Sequence, residues 1–201
     1  MRCEVTVIRT GSANLASVVA ALERAGCAVC VCEDPDRALT AERVVLPGVG
    51  SFGPVARRLA DLGLAAPLTE RLLAGRPTLA ICLGLQLLAA SSEEDPGVPG
   101  LGVLPVTATR FDDGLRVPQL GWNRVKANAE SRLLCDGTAY FANSYKLDEA
   151  PPGWAAATTI HGGSFVSAVE RGPVLACQFH PELSGDWGQK LIERWLDAGR
   201  A

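Results

Sequence analysis

Short apolar runs alternate with segments of helical spacing through the first half of the chain. Leu15, Val18, Val19 and Leu22 fall on one helical face and predict a helix that ends near Gly26. Further helices are expected at 54–62, at 67–73 and from 85 toward 90. Strands are predicted at the apolar runs 5–8, 27–32, 44–46 and 78–81.

The pattern changes after Gly102, where short β-type runs separated by Gly, Pro and Asp replace the helical segments. These runs predict strands at 103–110, 115–120, 138–142, 155–160, 165–169 and 174–179. A polar stretch rich in Pro and Gly predicts a surface loop at 91–100. The last element is expected to be an amphipathic helix that starts near Ser184 and Asp186, with apolar positions at Trp187, Leu191, Ile192, Trp195 and Leu196.

Together the two halves predict an α/β fold. Helices between strands indicate a doubly wound open sheet that is mostly parallel, and the later hairpins add an antiparallel β extension in the second half. No linker or internal repeat divides the 201 residues, so a single domain spanning 1–201 is expected.

Composition narrows the function classes. A net charge of −3 and the lack of a basic run argue against a nucleic-acid-binding surface. No stretch approaches the roughly 20 apolar residues of a membrane span, and the N-terminus lacks the apolar core of a signal peptide. The seven cysteines have apolar neighbours and are odd in number, which favours reduced thiols and a cytoplasmic location.

Cys82 lies at the break between the predicted strand 78–81 and the helix that follows it. Gly84 permits a sharp turn there, and this strand–turn–helix arrangement is typical of a nucleophile elbow, which raises a reactive side chain above the sheet. The amides at the start of the helix would lower the pKa of the thiol. The alternative is a buried cysteine that acts only as a small apolar side chain.

His180 and Glu182 follow the last predicted strand. A cysteine nucleophile needs a base, and a carboxylate on the far ring nitrogen would orient an imidazole in that role. Pro181 ends the strand, and the spacing allows the Glu182 carboxylate to face His180. The alternative is a solvated histidine at a strand end with an unrelated glutamate nearby.

A glycine-rich segment follows the strand at 44–46. Gly48, Gly50 and Gly53 spell G-x-G-x-x-G between a strand and a helix, which is the dinucleotide-binding pattern. Two features argue against a dinucleotide site. The strand at 44–46 is not the first strand of the predicted sheet, and the acidic residue about 20 positions later, Glu70, falls within a helical pattern. The competing use is an oxyanion strand that turns a backbone N–H toward a developing negative oxygen.

Cys27 and Cys30 form a Cys-x-x-Cys pair. Redox pairs of this type begin a helix, whereas this pair follows a helix and lies within a predicted strand. A zinc site would need a second pair of ligands, and the sequence supplies no such pair. We expect these cysteines to fill the core and expect no metal site.

Several motifs together resemble the class I (triad) glutamine amidotransferases and, among them, the glutaminase subunits of imidazole glycerol phosphate synthases. The Cys82 context and the His-Pro-Glu sequence at 180–182 indicate the superfamily. Finer matches indicate the subfamily and run nearly end to end: 14–18, 46–52, 117–123, 140–145 and 178–182.

The resemblance implies a catalytic triad of Cys82, His180 and Glu182 that hydrolyses glutamine. It implies an oxyanion hole formed by the amides of Val49 and Leu83. It implies glutamine contacts from Gly48, Gln86, Glu94, Ser144 and Tyr145. No cofactor is expected.

The resemblance also implies a protein partner, a (β/α)8-barrel synthase subunit. Ammonia would pass to this partner in a heterodimer that makes imidazole glycerol phosphate and AICAR in histidine biosynthesis. Four residues match the interface region of the family: Asn14, Trp122, Asn123 and Tyr140. Asn14 has a competing use as the cap of the first helix, and Trp122 could be a core aromatic.

The chain departs from the family pattern at four positions. Gln119 and Asn143 stand where the family often has His, Leu183 where it has Lys, and Ala80 where it has Gly. The change at Leu183 removes a charge expected near the partner. Other readings are a paralogue that feeds a different synthase, a cysteine hydrolase of the same fold, and a nucleotide-binding or non-catalytic module.

Overall fold

The computed structural model describes residues 3–11 and 14–199. Their main feature is a nine-stranded sheet in the order β2-β1-β3-β4-β12-β11-β10-β7-β8. Its strands are β1 Glu4–Ile8, β2 Ala28–Cys32, β3 Val44–Gly48, β4 Thr78–Cys82, β7 Gln119–Ala127, β8 Gly137–Asn143, β10 Ala155–Ile160, β11 Ser164–Arg171 and β12 Val174–Cys177. A smaller sheet contains β5 Ala89–Ser92, β6 Leu104–Arg110 and β9 Tyr145–Lys146.

The large sheet is parallel in its first half and antiparallel in its second. Strands β2, β1, β3, β4 and β12 pair in parallel, and β12, β11, β10, β7 and β8 pair antiparallel. This confirms the predicted α/β fold with an antiparallel extension. The carboxyl ends of β3, β4 and β12 therefore meet at one edge, where ligands of open α/β sheets bind.

Helices cover both faces of the sheet. The elements are α1 Leu15–Arg24, α2 Pro35–Thr40, α3 Phe52–Asp61, α4 Ala65–Leu73, α5 Leu83–Leu87 and α6 Gly185–Ala198, with a 3₁₀ helix at Pro181–Leu183. Apolar side chains of α1 and α6 pack in one core, and those of α3, α4 and α5 pack in the other. Among the described helices, none has the length and apolarity needed to cross a membrane.

Alternate residues of the central strands supply the two cores. In β4, Leu79 and Ile81 join the core of α1 and α6, whereas Ala80 joins the core of α3. A strand that is buried on both faces has a continuous run of apolar residues, so strands such as β4 could be predicted from the sequence.

Two predicted bounds were wrong because strand pairing overrides local pattern. The helix expected from Leu85 toward Ala90 ends at Leu87, since residues 89–92 pair in parallel with β6. The strand expected at 115–120 instead runs from Gln119 to Ala127, paired residue by residue with β8. Its outward-facing polar side chains obscured the strand pattern in the sequence.

Helix α2 was missed, although the sequence contains its start signals. Asp34 accepts hydrogen bonds from the amides of Asp36 and Arg37, and Pro35 occupies the first helical position.

Two expected helix caps do not form. Asn14 precedes α1, but its side chain donates to the Ser17 hydroxyl instead of accepting from the helix amides. Ser184 precedes α6, but its hydroxyl donates to the His180 carbonyl oxygen. The sequence also predicts a turn at 11–14 before α1, and two of its residues, Ser12 and Ala13, lie outside the described residues.

Candidate active site

Cys82 occupies a strained turn between β4 and α5. It has φ +54° and ψ −108°, and among the described residues it is the one non-glycine residue with positive φ. Such a conformation persists only where the surrounding structure holds it in place. Gly84 supplies that constraint, because a Cβ atom there would lie 2.2 Å from the Leu46 carbonyl oxygen. Helix α5 thus sits directly on β3, and the Cys82 thiol lies at the carboxyl edge of the sheet.

Helix α5 has five residues, so it contributes only a single turn of aligned peptide dipoles. The sequence-based expectation that this helix activates the thiol therefore accounts for only part of the electrostatics.

His180 and Glu182 form a buried pair beside Cys82. The Nδ1 atom of His180 lies 2.8 Å from Oε1 of Glu182, and both side chains are almost fully buried. Burial alone would lower the pKa of His180. Hydrogen bonds to Cys82 and Glu182 and the charges on both groups outweigh burial and raise this pKa to about 10. The imidazole is therefore protonated at neutral pH.

The backbone around His180 is fixed by strand β8. The His180 amide donates to the Tyr140 carbonyl at 2.9 Å, and the Tyr140 amide donates to the Ser184 hydroxyl at 3.0 Å. Pro181 starts the 3₁₀ helix, which turns Glu182 back toward the imidazole two positions earlier. The motif His-Pro-Glu thus encodes both members of the pair locally, and β8 positions them.

A pocket of about 220 Å³ opens above Cys82. It is lined by Val49, Gly50, Cys82, Leu83, Gln86, Glu94, Ala142, Asn143, Ser144, Tyr145 and His180. Burial and the charge of Glu94 raise the pKa of Tyr145, so its hydroxyl stays protonated and can donate. A larger open depression of about 720 Å³ on β7, β8 and β10 contains no cysteine or histidine in its lining.

Most of the predicted site residues converge on this small pocket. Cys82, His180, Val49, Leu83, Gln86, Glu94, Ser144 and Tyr145 all line it. Glu182 lies behind His180, and Gly48 lies outside the lining, where a Cβ atom would meet the Leu83 Cβ at 2.8 Å. Gly48 thus permits close packing of β3 on α5.

The sequence did not identify Gly50, Asn143 or Gln178 as site residues. Gly50 and Asn143 line the pocket, and the Nε2 atom of the fully buried Gln178 lies 3.6 Å from the Cys82 sulfur. These residues lie within the family-like motifs at 46–52, 140–145 and 178–182, but the motifs alone do not indicate a role for them.

The glycine-rich segment does not present a free helix terminus for a nucleotide. The amides of Phe52 and Gly53, which open α3, each donate at 2.8 Å to a carboxylate, from Glu94 and Asp95 respectively. A Cβ atom at Gly53 would lie 2.5 Å from the Asp95 side chain. Two negative charges therefore occupy the place that a pyrophosphate needs.

Gln119 and Asn143, two departures from the family pattern, face each other across β7 and β8. Both are buried, and the Asn143 amide donates to the Tyr145 carbonyl at 2.9 Å. The two changes thus fall on one cross-strand pair at the wall of the pocket.

The residues predicted to meet a partner do not all lie on one face of the sheet. Trp122 is 58% exposed, and its ring meets that of Tyr140 edge-on with centroids 6.1 Å apart. Leu120 shares this face and is 65% exposed, and Leu183 after the His-Pro-Glu motif is 39% exposed. Alternation along β7 directs Asn123 to the opposite face, where its amide donates to the Ile160 carbonyl. Asn14 is exposed at the start of α1.

Comparison with known proteins agrees with this geometry. The sequence model of the class-I glutamine amidotransferase family matches residues 6–198. The imidazole glycerol phosphate synthase subunit HisH of Symbiobacterium thermophilum is 40% identical over 195 residues, which cover 95% of this chain and 92% of the relative. The chloroplastic imidazole glycerol phosphate synthase hisHF of Arabidopsis thaliana is 40% identical over 199 residues, which cover 96% of this chain and 34% of the relative.

Solved structures share the fold. A structure described as a glutamine amidotransferase superposes with a TM-score of 0.79 at 21% identity, covering 98% of this chain and 99% of the other. PurLQS from Thermotoga maritima superposes with a TM-score of 0.74 at 18% identity, with the same coverage. From the family match and the sequence relatives, the chain belongs to the class-I glutamine amidotransferases and, among them, to the HisH family of imidazole glycerol phosphate synthase subunits.

Proposed function

We propose that this chain is a glutaminase that hydrolyses glutamine through a thioester on Cys82. The observation that carries the proposal is the approach of Cys82 to the His180–Glu182 pair, which lies far from it in the chain. The thiol of Cys82 and the imidazole of His180 line one pocket, and the carboxylate of Glu182 lies behind the imidazole, which its raised pKa keeps protonated at neutral pH. This is the charge state that a cysteine nucleophile requires.

In the first half-reaction, the Cys82 thiolate attacks the side-chain amide carbon of glutamine and a C–S bond forms. The negative oxygen of the tetrahedral adduct is held by the amides of Val49 and Leu83. His180 transfers its proton to the leaving nitrogen, the C–N bond breaks, and ammonia departs. His180 is then neutral, and the acyl group remains on Cys82.

In the second half-reaction, neutral His180 takes a proton from water as the oxygen attacks the thioester. The C–S bond breaks, glutamate leaves, and the thiolate and imidazolium are restored. Glu182 keeps the imidazole in the productive orientation and stabilises its positive charge throughout.

The walls of the pocket fit free glutamine. Glu94 supplies a negative charge for the α-ammonium group, although its Oε2 atom also accepts from the Phe52 amide. Ser144 and the protonated Tyr145 hydroxyl supply polar contacts for the α-carboxylate. Gln86 lines the same pocket. Gly48 contributes indirectly, because the absence of a side chain there lets β3 pack closely against Leu83 of α5.

We further propose that the ammonia passes to a (β/α)8-barrel synthase subunit, with which the chain forms a heterodimer in the cytoplasm. The exposed side chains of Leu120 and Trp122 on one face of β7, with Tyr140 packed against Trp122, support such a partner, because apolar patches of this kind mark protein–protein contacts. Ala142, which lines the pocket, lies on the same face of β8 as Tyr140, so this surface adjoins the pocket.

The relative named hisHF supports a close association, because the matched region is one third of a longer chain there. The partner would use the ammonia to make imidazole glycerol phosphate and AICAR for histidine biosynthesis. Ammonia released into solvent at neutral pH becomes ammonium, so direct transfer keeps it nucleophilic.

The test is an assay of the purified chain with and without a HisF-type barrel subunit, which measures glutamate release and synthase product together. The proposal expects glutamine-dependent product from the wild-type pair and neither glutamate nor product from Cys82→Ala at equal folding. Glutaminase turnover by Cys82→Ala would contradict the nucleophile. Glutamate release without synthase product would point to a different partner.

A further inference from the structure

A continuous row of side-chain amides connects the wall of the pocket to the sulfur of Cys82. The Gln86 Nε2 atom lies 3.3 Å from the Tyr145 carbonyl oxygen and 3.1 Å from the Gln178 Oε1 atom. The Gln178 Nε2 atom lies 3.6 Å from the Cys82 sulfur. Gln178 follows β12, and Gln86 lies in α5, so the row joins two elements that flank the nucleophile.

The carbonyl of Tyr145 fixes the direction of every bond in the row. A backbone carbonyl oxygen can only accept, so the NH₂ group of Gln86 must face it. The second hydrogen of that NH₂ group is then available to the neighbouring amide, which must present its oxygen. Gln178 therefore turns its oxygen to Gln86 and its NH₂ group to Cys82. The Tyr145 carbonyl thus determines, through the side chains of Gln86 and Gln178, that a donor and not an acceptor faces the Cys82 sulfur.

A second donor reinforces the starting point of the row. The Asn143 amide also donates to the Tyr145 carbonyl, at 2.9 Å. The two lone pairs of that oxygen thus serve two side-chain amides. Both lone pairs of the Tyr145 carbonyl oxygen accept a hydrogen bond, and a flipped Gln86 amide would replace one of these bonds with two oxygens facing each other.

Burial makes the donor at the sulfur effective. Gln178 is fully buried and Gln86 is 5% exposed, so water competes little with these bonds. Hydrogen bonds in such an environment are electrostatically stronger than in water, and bonds to a charged partner are stronger still. An N–H that faces sulfur favours the thiolate over the thiol, because only the thiolate is a good acceptor.

We propose that Gln178 is a further catalytic residue whose side-chain amide donates a hydrogen bond to the Cys82 thiolate, and that Gln86 is the positioning residue that keeps this donor facing the sulfur. The inference rests on the proposed function only in treating Cys82 as the nucleophile. Gln178 then adds a neutral donor to the positive charge that His180 places near the sulfur. The bond weakens as the sulfur loses charge in the attack on glutamine.

The same bond forms again when the thioester breaks. Stabilisation of a thiolate lowers its nucleophilicity but makes it a better leaving group. Gln178 therefore assists release of glutamate more than the attack on glutamine. A loss of Gln178 is expected to lower kcat while KM for glutamine changes little or falls.

The experiment measures the rate at which iodoacetamide alkylates Cys82 as a function of pH, with the adduct located by peptide mass mapping. This reports thiolate formation without glutamine turnover. Gln178→Met keeps the length of the side chain and removes the donor. The pH midpoint for Cys82 is expected to rise by about one unit, a roughly tenfold smaller thiolate fraction.

Gln189→Met on α6 is the matched control, since it makes the same substitution at a glutamine that contacts Ala21 and Glu193. Its midpoint is expected to equal that of the wild type. Gln86→Met removes the positioning contact but leaves the donor, and we expect a smaller rise than for Gln178→Met. This variant also tests the proposal if Gln178→Met does not fold.

An unchanged midpoint in folded Gln178→Met, or in Gln86→Met if the former is unfolded, would overturn the proposal. An equal rise of the Cys82 midpoint in Gln189→Met would also overturn the proposal, because the effect would then not depend on a glutamine that faces the sulfur. The outcome is separate from the glutaminase assay. If the midpoint rises in Gln178→Met but the wild-type protein does not hydrolyse glutamine, the contact between Gln178 and the thiolate is supported and the proposed function is refuted.

Discussion

The main-chain amide of His180 donates to the carbonyl oxygen of Tyr140 at 2.9 Å, and the ring of Tyr140 packs edge-on against Trp122 on the exposed face of β7. The imidazole at the active site and the apolar surface proposed to meet a partner are therefore joined through one residue of β8.

This relationship predicts the effect of Trp122→Ala. Because the Trp122 ring is exposed and aromatic anchors dominate interfaces, its removal should weaken binding of the barrel subunit about tenfold or more with little loss of stability. Binding can be measured by calorimetric titration. Leu73→Ala is the control, since Leu73 is equally exposed at the end of α4, and an equal loss of affinity there would refute the assignment of the surface.

A second prediction concerns the carboxylate behind the imidazole. Glu182→Gln keeps the size of the side chain but removes the charge that supports the protonated His180. We expect kcat for glutamine hydrolysis to fall about a hundredfold or more while circular dichroism stays unchanged. A variant with nearly wild-type kcat would show that Glu182 does not tune His180.

The raised pKa of His180 predicts a pH dependence of stability. The unfolded chain loses this proton near 6.5, whereas the folded protein keeps it to about 10. The contribution of His180 to the free energy of unfolding is therefore complete below pH 6.5 and is lost as the pH rises through about 10. Burial opposes this effect, but the contacts with Cys82 and Glu182 outweigh it.

The measurement is urea unfolding of the wild type and of His180→Asn across this pH window. The difference between the two free energies should shrink as the pH rises, because the variant lacks the titrating group. The subtraction also removes the contribution of Cys177, whose pKa burial raises well above its usual value. A difference that grows with pH would contradict the protonated state of His180.

The close packing of α5 on β3 predicts that Gly84→Ala destabilises the protein. The added Cβ would lie 2.2 Å from a backbone oxygen of Leu46, which cannot move without disturbing the sheet. We expect a loss of about 2–4 kcal/mol in the free energy of unfolding, together with loss of Cys82 reactivity. Gly163→Ala is the control, since its Cβ would meet no atom within 4 Å and should change stability by less than about 0.5 kcal/mol.

The fold could be predicted largely because its central strands are buried on both faces. Short apolar runs such as 44–46 and 78–81 predict buried strands, and the segments between them have apolar residues at helical spacing. Residues 89–92 and 121–127 were misassigned because their strands depend on partners distant in the chain. Local pattern contains no information on such pairing.

The site was predictable to the extent that motifs encode it. His180 and Glu182 are two positions apart, so their pairing is local, whereas their approach to Cys82 depends on β12 lying beside β4. The polarity of the Gln86–Gln178 row was not predictable, since it is set by the Tyr145 carbonyl across the pocket. The catalytic roles of all these residues stay predictions until they are measured.

The most direct test of the account is covalent labelling with a diazoketone analogue of glutamine, which forms a thioether with an activated nucleophile in a glutamine pocket. The chain, alone and with the barrel subunit, should take up one label, and peptide mass mapping should place it on Cys82, with none in Cys82→Ala. A label on any other cysteine, or no label in either state, would contradict the claim that Cys82, His180 and Glu182 form a glutaminase centre.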